Sequence, residues 1–210
     1  SKLEKQLSLQ KQIEKIEKIL EDGETPDTII DVKTSSSFDI DIVQNLLNSG
    51  KLKEGSYVIS NGFKPPQYIN KIAELIADKR LNVVSIVDNT QEVQNLLAAT
   101  GDAEIKIGLR IASEEEPKFE FYTSRLGIRY REIVPFYKAF IQDNPRVQIK
   151  MLHFFINTGI NDNAYYWNEL TKCLRIYSEL KKVCPTLDSL NIGGGFPIKK
   201  SLAFDFDYAY

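Results

Sequence analysis

An alternation of short β-branched runs with helix-length amphipathic stretches constrains this chain more than any other feature. The strand pattern falls at Thr28–Val32, Tyr57–Ser60, Val83–Val87, Ile105–Ile111, Val147–Phe155 and Leu187–Ile192. Between these runs, apolar residues recur at helical spacing. The first set is Phe38, Ile42, Leu46 and Leu47, and the next is Ile69, Ile72, Leu75 and Ile76, opened by Pro65 or Pro66. Val93, Leu96 and Leu97 follow a cap at Asp88 or Asn89. The stretch Tyr130–Ile141 shows Ile133, Val134, Tyr137, Phe140 and Ile141 on one side, and Leu170, Leu174, Tyr177 and Leu180 follow a cap at Asp162. Helical connections between short strands imply a parallel sheet and an α/β fold. Two architectures meet this description, an open doubly wound sheet and a (β/α) TIM-type barrel.

The last strand runs into Gly193-Gly194-Gly195. Three consecutive residues without a Cβ form either a plain tight turn or a nest of backbone N–H groups suited to a phosphate. A dinucleotide-binding doubly wound fold carries its glycines after the first strand, whereas a barrel holds phosphate at the loops after its late strands. The barrel is therefore favoured. It is expected to be incomplete, with about six strand–helix units in a single barrel-type domain over 1–210. Residues 28–210 form the barrel segment. Residues 1–24 stand apart as an amphipathic helix, with Leu9, Ile13, Ile16 and Leu20 in register over Ser1–Glu21, and they end at Asp22-Gly23.

Composition removes several classes. A net charge of −2 and a pI near 5.6 argue against a general nucleic-acid binder. No long uncharged apolar run predicts a transmembrane span, and the charged N-terminal stretch lacks a signal core, so a cytoplasmic protein is expected. Cys173 and Cys184 lack metal-ligand and redox spacing and are read as thiols. With His153 as the one histidine, no multi-histidine metal site is expected.

In a barrel, chemistry gathers where strands end. Read in order, those ends offer Lys33 with Ser35 and Ser36, Asn61, Asp88, Arg110, then His153 and Phe155 with Thr158, and Gly193 to Gly195. Strict alternation places Val147, Ile149, Met151, His153 and Phe155 on one strand face. Arg110 reads either as a site cation or as a salt-bridge partner of Glu114-Glu115-Glu116. His153 reads either as a site residue or as a hydrogen-bonded core histidine.

Several motifs occur in register: Lys33-Thr34-Ser35-Ser36-Ser37 before Asp39-Ile40-Asp41, Ser60-Asn61-Gly62-Phe63-Lys64, Leu109-Arg110-Ile111, Ser124-Arg125-Leu126-Gly127, Leu152-His153-Phe154-Phe155 and Gly193-Gly194-Gly195-Phe196-Pro197. Over roughly Asp31–Tyr210 the chain resembles the fold-type III decarboxylases that use pyridoxal phosphate. The likeness is strongest to arginine decarboxylases of polyamine synthesis in a short bacterial form. The resemblance implies an alanine-racemase-like barrel, pyridoxal 5'-phosphate as cofactor, a homodimer or higher homo-oligomer, and decarboxylation of a basic amino acid, arginine going to agmatine and carbon dioxide. It further implies that Gly193, Gly194 and Gly195 hold the phosphate through backbone N–H groups with the Thr158 hydroxyl, that Arg110 lies near the ring, and that a strand-end aromatic, here Phe155, covers the ring face.

The chain departs from that pattern in four places. The family's Schiff-base lysine belongs on a strand before Asp31, where this chain shows a charged helix and a turn. Lys33 stands where the family has an acidic residue, either as a displaced amine nucleophile or as a solvated lysine. Phe155 replaces a histidine. The chain also stops at Tyr210, before the final strand, its acidic partner for the ring nitrogen and the C-terminal β-domain. The chain thus reads as a segment of such a decarboxylase or, alternatively, as a non-catalytic binding relative. An unrelated barrel holding a phosphosugar or nucleotide is a third reading.

Overall fold

The computed structural model describes residues 32–112, 126–155 and 163–193. The expected helix at Ser1–Glu21, the cap at Asp162, Glu114–Glu116, Thr158, Gly194 and Gly195 lie outside them. The chain divides into two compact units, Ser1–Val83 and Val84–Tyr210.

In the first unit, β1 (Val32–Thr34) and β2 (Tyr57–Ser60) pair in parallel, with Thr34 opposite Ser60. Helix α1 (Ser37–Asn48) starts in a capping box. Ser36 Oγ accepts from the Asp39 N–H, and Asp39 Oδ2 accepts from the backbone of Ser35 at 2.7 Å and Ser36 at 3.0 Å. Helix α2 (Pro66–Asp78) begins on a proline, where the missing N–H costs no hydrogen bond, and stops at left-handed Lys79. Ile40, Val43, Val58, Ile72 and Leu75 are buried between these elements. Tyr68, fully buried, shares a hydrogen bond with Thr34 Oγ1 at 2.9 Å. Burial raises the pKa of the Tyr68 hydroxyl above its ordinary value, against the bonds to Thr34 and Ser60.

In the second unit, β3 (Asn82–Val87) from Val84 onward, β4 (Ile105–Arg110), β5 (Val147–His153) and β6 (Ser189–Asn191) pair in parallel and in chain order. Helix α3 (Thr90–Ala99) is capped by Asn89, whose Oδ1 accepts from the Glu92 N–H at 3.0 Å. The expected helix at Tyr130–Ile141 divides into a 3₁₀ turn, Tyr130–Glu132, and helix α4 (Ile133–Phe140). Pro135 is the cause. It fits only the first turn of an α-helix, so the α geometry starts at Ile133.

Helix α5 (Asn163–Lys181) buries a different stripe from the expected Leu170, Leu174 and Tyr177. Tyr166, Glu169, Cys173 and Leu180 face inward, and Leu174 is 48% exposed. The rotation brings a carboxylate inside. Fully buried Glu169 is satisfied by the Tyr130 hydroxyl at 2.8 Å and Lys172 Nζ at 2.7 Å. Burial, then the Glu169 charge, pushes the Cys173 thiol up to about 12. Both cysteines are free thiols.

Candidate cofactor site

One irregularity in the second unit decides which side chains meet. Ile107 pairs with Ile149, but the next residue, Gly108, pairs with Met151, so Lys150 is an extra residue bulged out of β5. Neighbouring strand residues point to opposite faces. Val147 and Ile149 therefore share the face of Ile105 and Ile107, whereas Met151 and His153 share that of Gly108 and Arg110. The unbroken alternation expected for Val147, Ile149, Met151 and His153 does not hold. Beyond the bulge, Phe154 falls on the helix side, its ring centroid 6.1 Å from that of Tyr166 in α5.

The face opposite the helices carries a polar row at the C-terminal strand ends. Arg110, His153 and Asn191 are consecutive register partners on β4, β5 and β6. Asp88, one residue past β3, lies beside Arg110, with Oδ1 3.9 Å from Nε and both side chains over nine-tenths buried. Arg110 thus faces Asp88 within the row; the alternative Glu114–Glu116 loop lies outside the described residues. Gly108 makes the layer beneath this row possible, because a Cβ there would overlap Ile86 Cδ1 and lie 3.2 Å from Met151 Cβ.

The end of β4 is held from one side by the segment that ends the Ser-Arg-Leu-Gly motif. Ile128 donates its N–H to the Arg110 carbonyl at 2.8 Å and accepts from the Ala112 N–H at 2.9 Å. Gly127 permits this approach. Its φ is +99°, and a Cβ would stand 2.8 Å from Ala112 N. The motif thus acts on the arginine strand through its glycine.

His153 is fully buried, and its Nδ1 lies 3.3 Å from the Asn191 carbonyl oxygen. That oxygen also accepts from the Phe154 N–H at 3.1 Å. Asn191 Oδ1 accepts from the Gly193 N–H at 2.9 Å. Gly193 has φ +73°, and a Cβ on it would lie 2.7 Å from the Phe154 carbonyl and 3.0 Å from Phe155 Cδ2. The structure therefore brings together Arg110, His153, Phe155 and Gly193. Lys33 lies in the other unit, exposed on β1 opposite Ile59. Asn191 was not singled out by sequence reasoning. Its signal was the Asn-x-Gly spacing of a side-chain-closed turn, overshadowed by the glycines beside it.

The residues fit an anionic group attached to a flat ring. A buried guanidinium supplies positive charge, Phe155 supplies an apolar face, and the turn at Gly193 brings backbone close without a side chain.

Parallel strands, strand-end chemistry and a late glycine turn define the class of barrel that holds a phosphate-bearing cofactor at its C-terminal face. Comparison with known proteins makes this specific. Residues 32–205 match the family described as "Pyridoxal-dependent decarboxylase, pyridoxal binding domain", and the chain belongs to this family. It is similar to the biosynthetic arginine decarboxylase of Prochlorococcus marinus (strain MIT 9215), 28% identical over 199 residues, covering 91% of this chain and 29% of that protein. The chain thus spans under a third of the length of that relative.

Solved structures show the same fold. Diaminopimelate decarboxylase from Helicobacter pylori, complexed with L-lysine, superimposes with a TM-score of 0.63 at 16% identity, covering 87% of this chain and 46% of that one. Biosynthetic arginine decarboxylase from Campylobacter jejuni gives 0.53 at 20% identity, covering 89% and 35%. The fold is an incomplete (β/α) TIM-type barrel, and the cofactor of the family is pyridoxal phosphate.

Proposed function

We propose that this chain forms the pyridoxal-binding part of a decarboxylase that converts arginine to agmatine and carbon dioxide. The observation that carries the reading is the row Asp88–Arg110–His153–Asn191, its first three side chains buried and Asn191 half-buried, leading into Gly193 in a chain whose relatives include biosynthetic arginine decarboxylases. Other decarboxylases share the fold, so arginine rests on those relatives.

Arg110 and Phe155, with Thr158 and the consecutive Gly193, Gly194 and Gly195, would hold the cofactor. Pyridoxal phosphate, when bound, takes up the electron pair left as the α-carboxylate departs. Asp88 orients Arg110 and moderates its charge. Phe155 keeps water from one face, and His153 is fixed by the Asn191 carbonyl. The working protein is a cytoplasmic homo-oligomer in this reading. No helix among the described residues is long and apolar enough to cross a membrane.

Lys33 favours a second reading. A lysine where the family carries an acid suits a binding relative without catalysis. Carbon dioxide release from arginine, lysine, ornithine and diaminopimelate, measured with added pyridoxal phosphate, separates the readings. The first expects arginine to be turned over fastest. Preference for another amino acid overturns the substrate, and cofactor binding without any turnover supports the second reading.

A further inference from the structure

We propose that Asn191 is a positioning residue for the cofactor site, fixing the Gly193 turn with its side chain and the His153 ring with its main chain. The inference rests on the pyridoxal phosphate reading of the same site. A carbonyl oxygen only accepts, so the contact from His153 Nδ1 to the Asn191 carbonyl requires the proton on Nδ1. In the neutral ring, Nε2 is then the acceptor. The row therefore presents a histidine of one tautomer beside Arg110.

The second half of the device is the Asn191 side chain. Its Oδ1 takes the Gly193 N–H, closing a two-residue turn. At φ +73° Gly193 is packed under the Phe154 carbonyl and against Phe155, so the turn has little space to relax elsewhere. Gly193 thus directs the backbone while Asn191 satisfies its N–H. An alanine at 191 keeps the main-chain half and deletes the turn. An aspartate presents an oxygen at the same place and keeps both.

The test uses the full chain with N191A and N191D. Three readouts are taken: amide exchange at Gly193 without cofactor, the ¹⁵N shifts of His153, and pyridoxal phosphate affinity by absorbance titration. We expect a protected Gly193 amide and an Nδ1-protonated His153 in the parent chain. N191A should lose the protection and bind the cofactor on the order of tenfold more weakly, the scale of one hydrogen bond. N191D should restore both. Equal Gly193 protection in N191A overturns the proposal, as does unchanged cofactor affinity. Should N191A fail to fold, an Nε2-protonated His153 in the parent chain overturns it without any variant. A parent chain that binds no pyridoxal phosphate sinks the cofactor reading, while the exchange result still decides whether Asn191 holds the turn.

Discussion

His153 and Arg110 are register partners, and they share a face only because Lys150 is bulged out between Ile149 and Met151. Were Lys150 instead drawn into the ladder opposite Gly108, Met151 and His153 would turn toward the helices and Leu152 would stand in the polar row. Deleting Lys150 should therefore straighten β5 while keeping His153 opposite Arg110, at a cost below about 3 kcal/mol in urea unfolding. K150A should stay within about 1 kcal/mol, because its 3.0 Å pair with half-exposed Asp188 is a surface interaction. A deletion variant that loses more than about 3 kcal/mol would show that the row needs the bulge itself and not the register alone.

Gly108 is small because Ile86 and Met151 meet over it. G108A should destabilise by about 1–3 kcal/mol. Adding I86V removes the Ile86 Cδ1 methyl that the new Cβ would strike, and should recover part of the loss. A double variant no better than G108A in thermal melts would place the strain elsewhere.

The Cys173 thiol carries a pH signature. Its folded pKa, near 12, lies above the unfolded value of about 8.5. The folded state keeps a proton that the unfolded chain releases, so this contribution is complete below about pH 8.5 and is lost as pH rises toward 12. The slope approaches about 1.4 kcal/mol per pH unit within that window. C173A should lose less stability than the parent between pH 7.5 and 10. At pH 8 a thiol reagent should label buried Cys173 and Cys184 only after denaturation.

Glu169 is the buried carboxylate of α5, held by Tyr130 and Lys172. E169A should cost about 2–4 kcal/mol, and Y130F about 1 kcal/mol. The double variant should show a coupling above about 0.5 kcal/mol in urea titrations. Simple additivity would mean that the hydroxyl and the carboxylate stabilise the fold separately.

Much of the architecture was legible because periodicity reports burial. Tyr57–Ser60 forms the expected strand, Pro66 opens its helix and Asn89 caps the next. The bulge was not legible. Lys150 tolerates either face, so the pattern from Val147 to His153 looks like uninterrupted alternation whether or not one residue is extra. The buried stripe of α5 was hidden for a related reason: a charged residue reads as exposed until its partners, here Tyr130 39 residues away, are known. Arg110, His153, Phe155 and Gly193 could be named from strand ends and family motifs. His153 and Gly193 both bond Asn191, through its main-chain carbonyl and its side-chain oxygen, and a carbonyl carries no mark in a sequence.

Pyridoxal phosphate binding at the Arg110–His153–Gly193 face can be measured on the intact chain. A titration of the full chain, followed by visible absorbance and repeated with R110Q, tests it most directly. Saturable binding is expected, weakened on the order of tenfold or more in R110Q through loss of the buried cation. No saturable binding, or equal binding by R110Q, would contradict it.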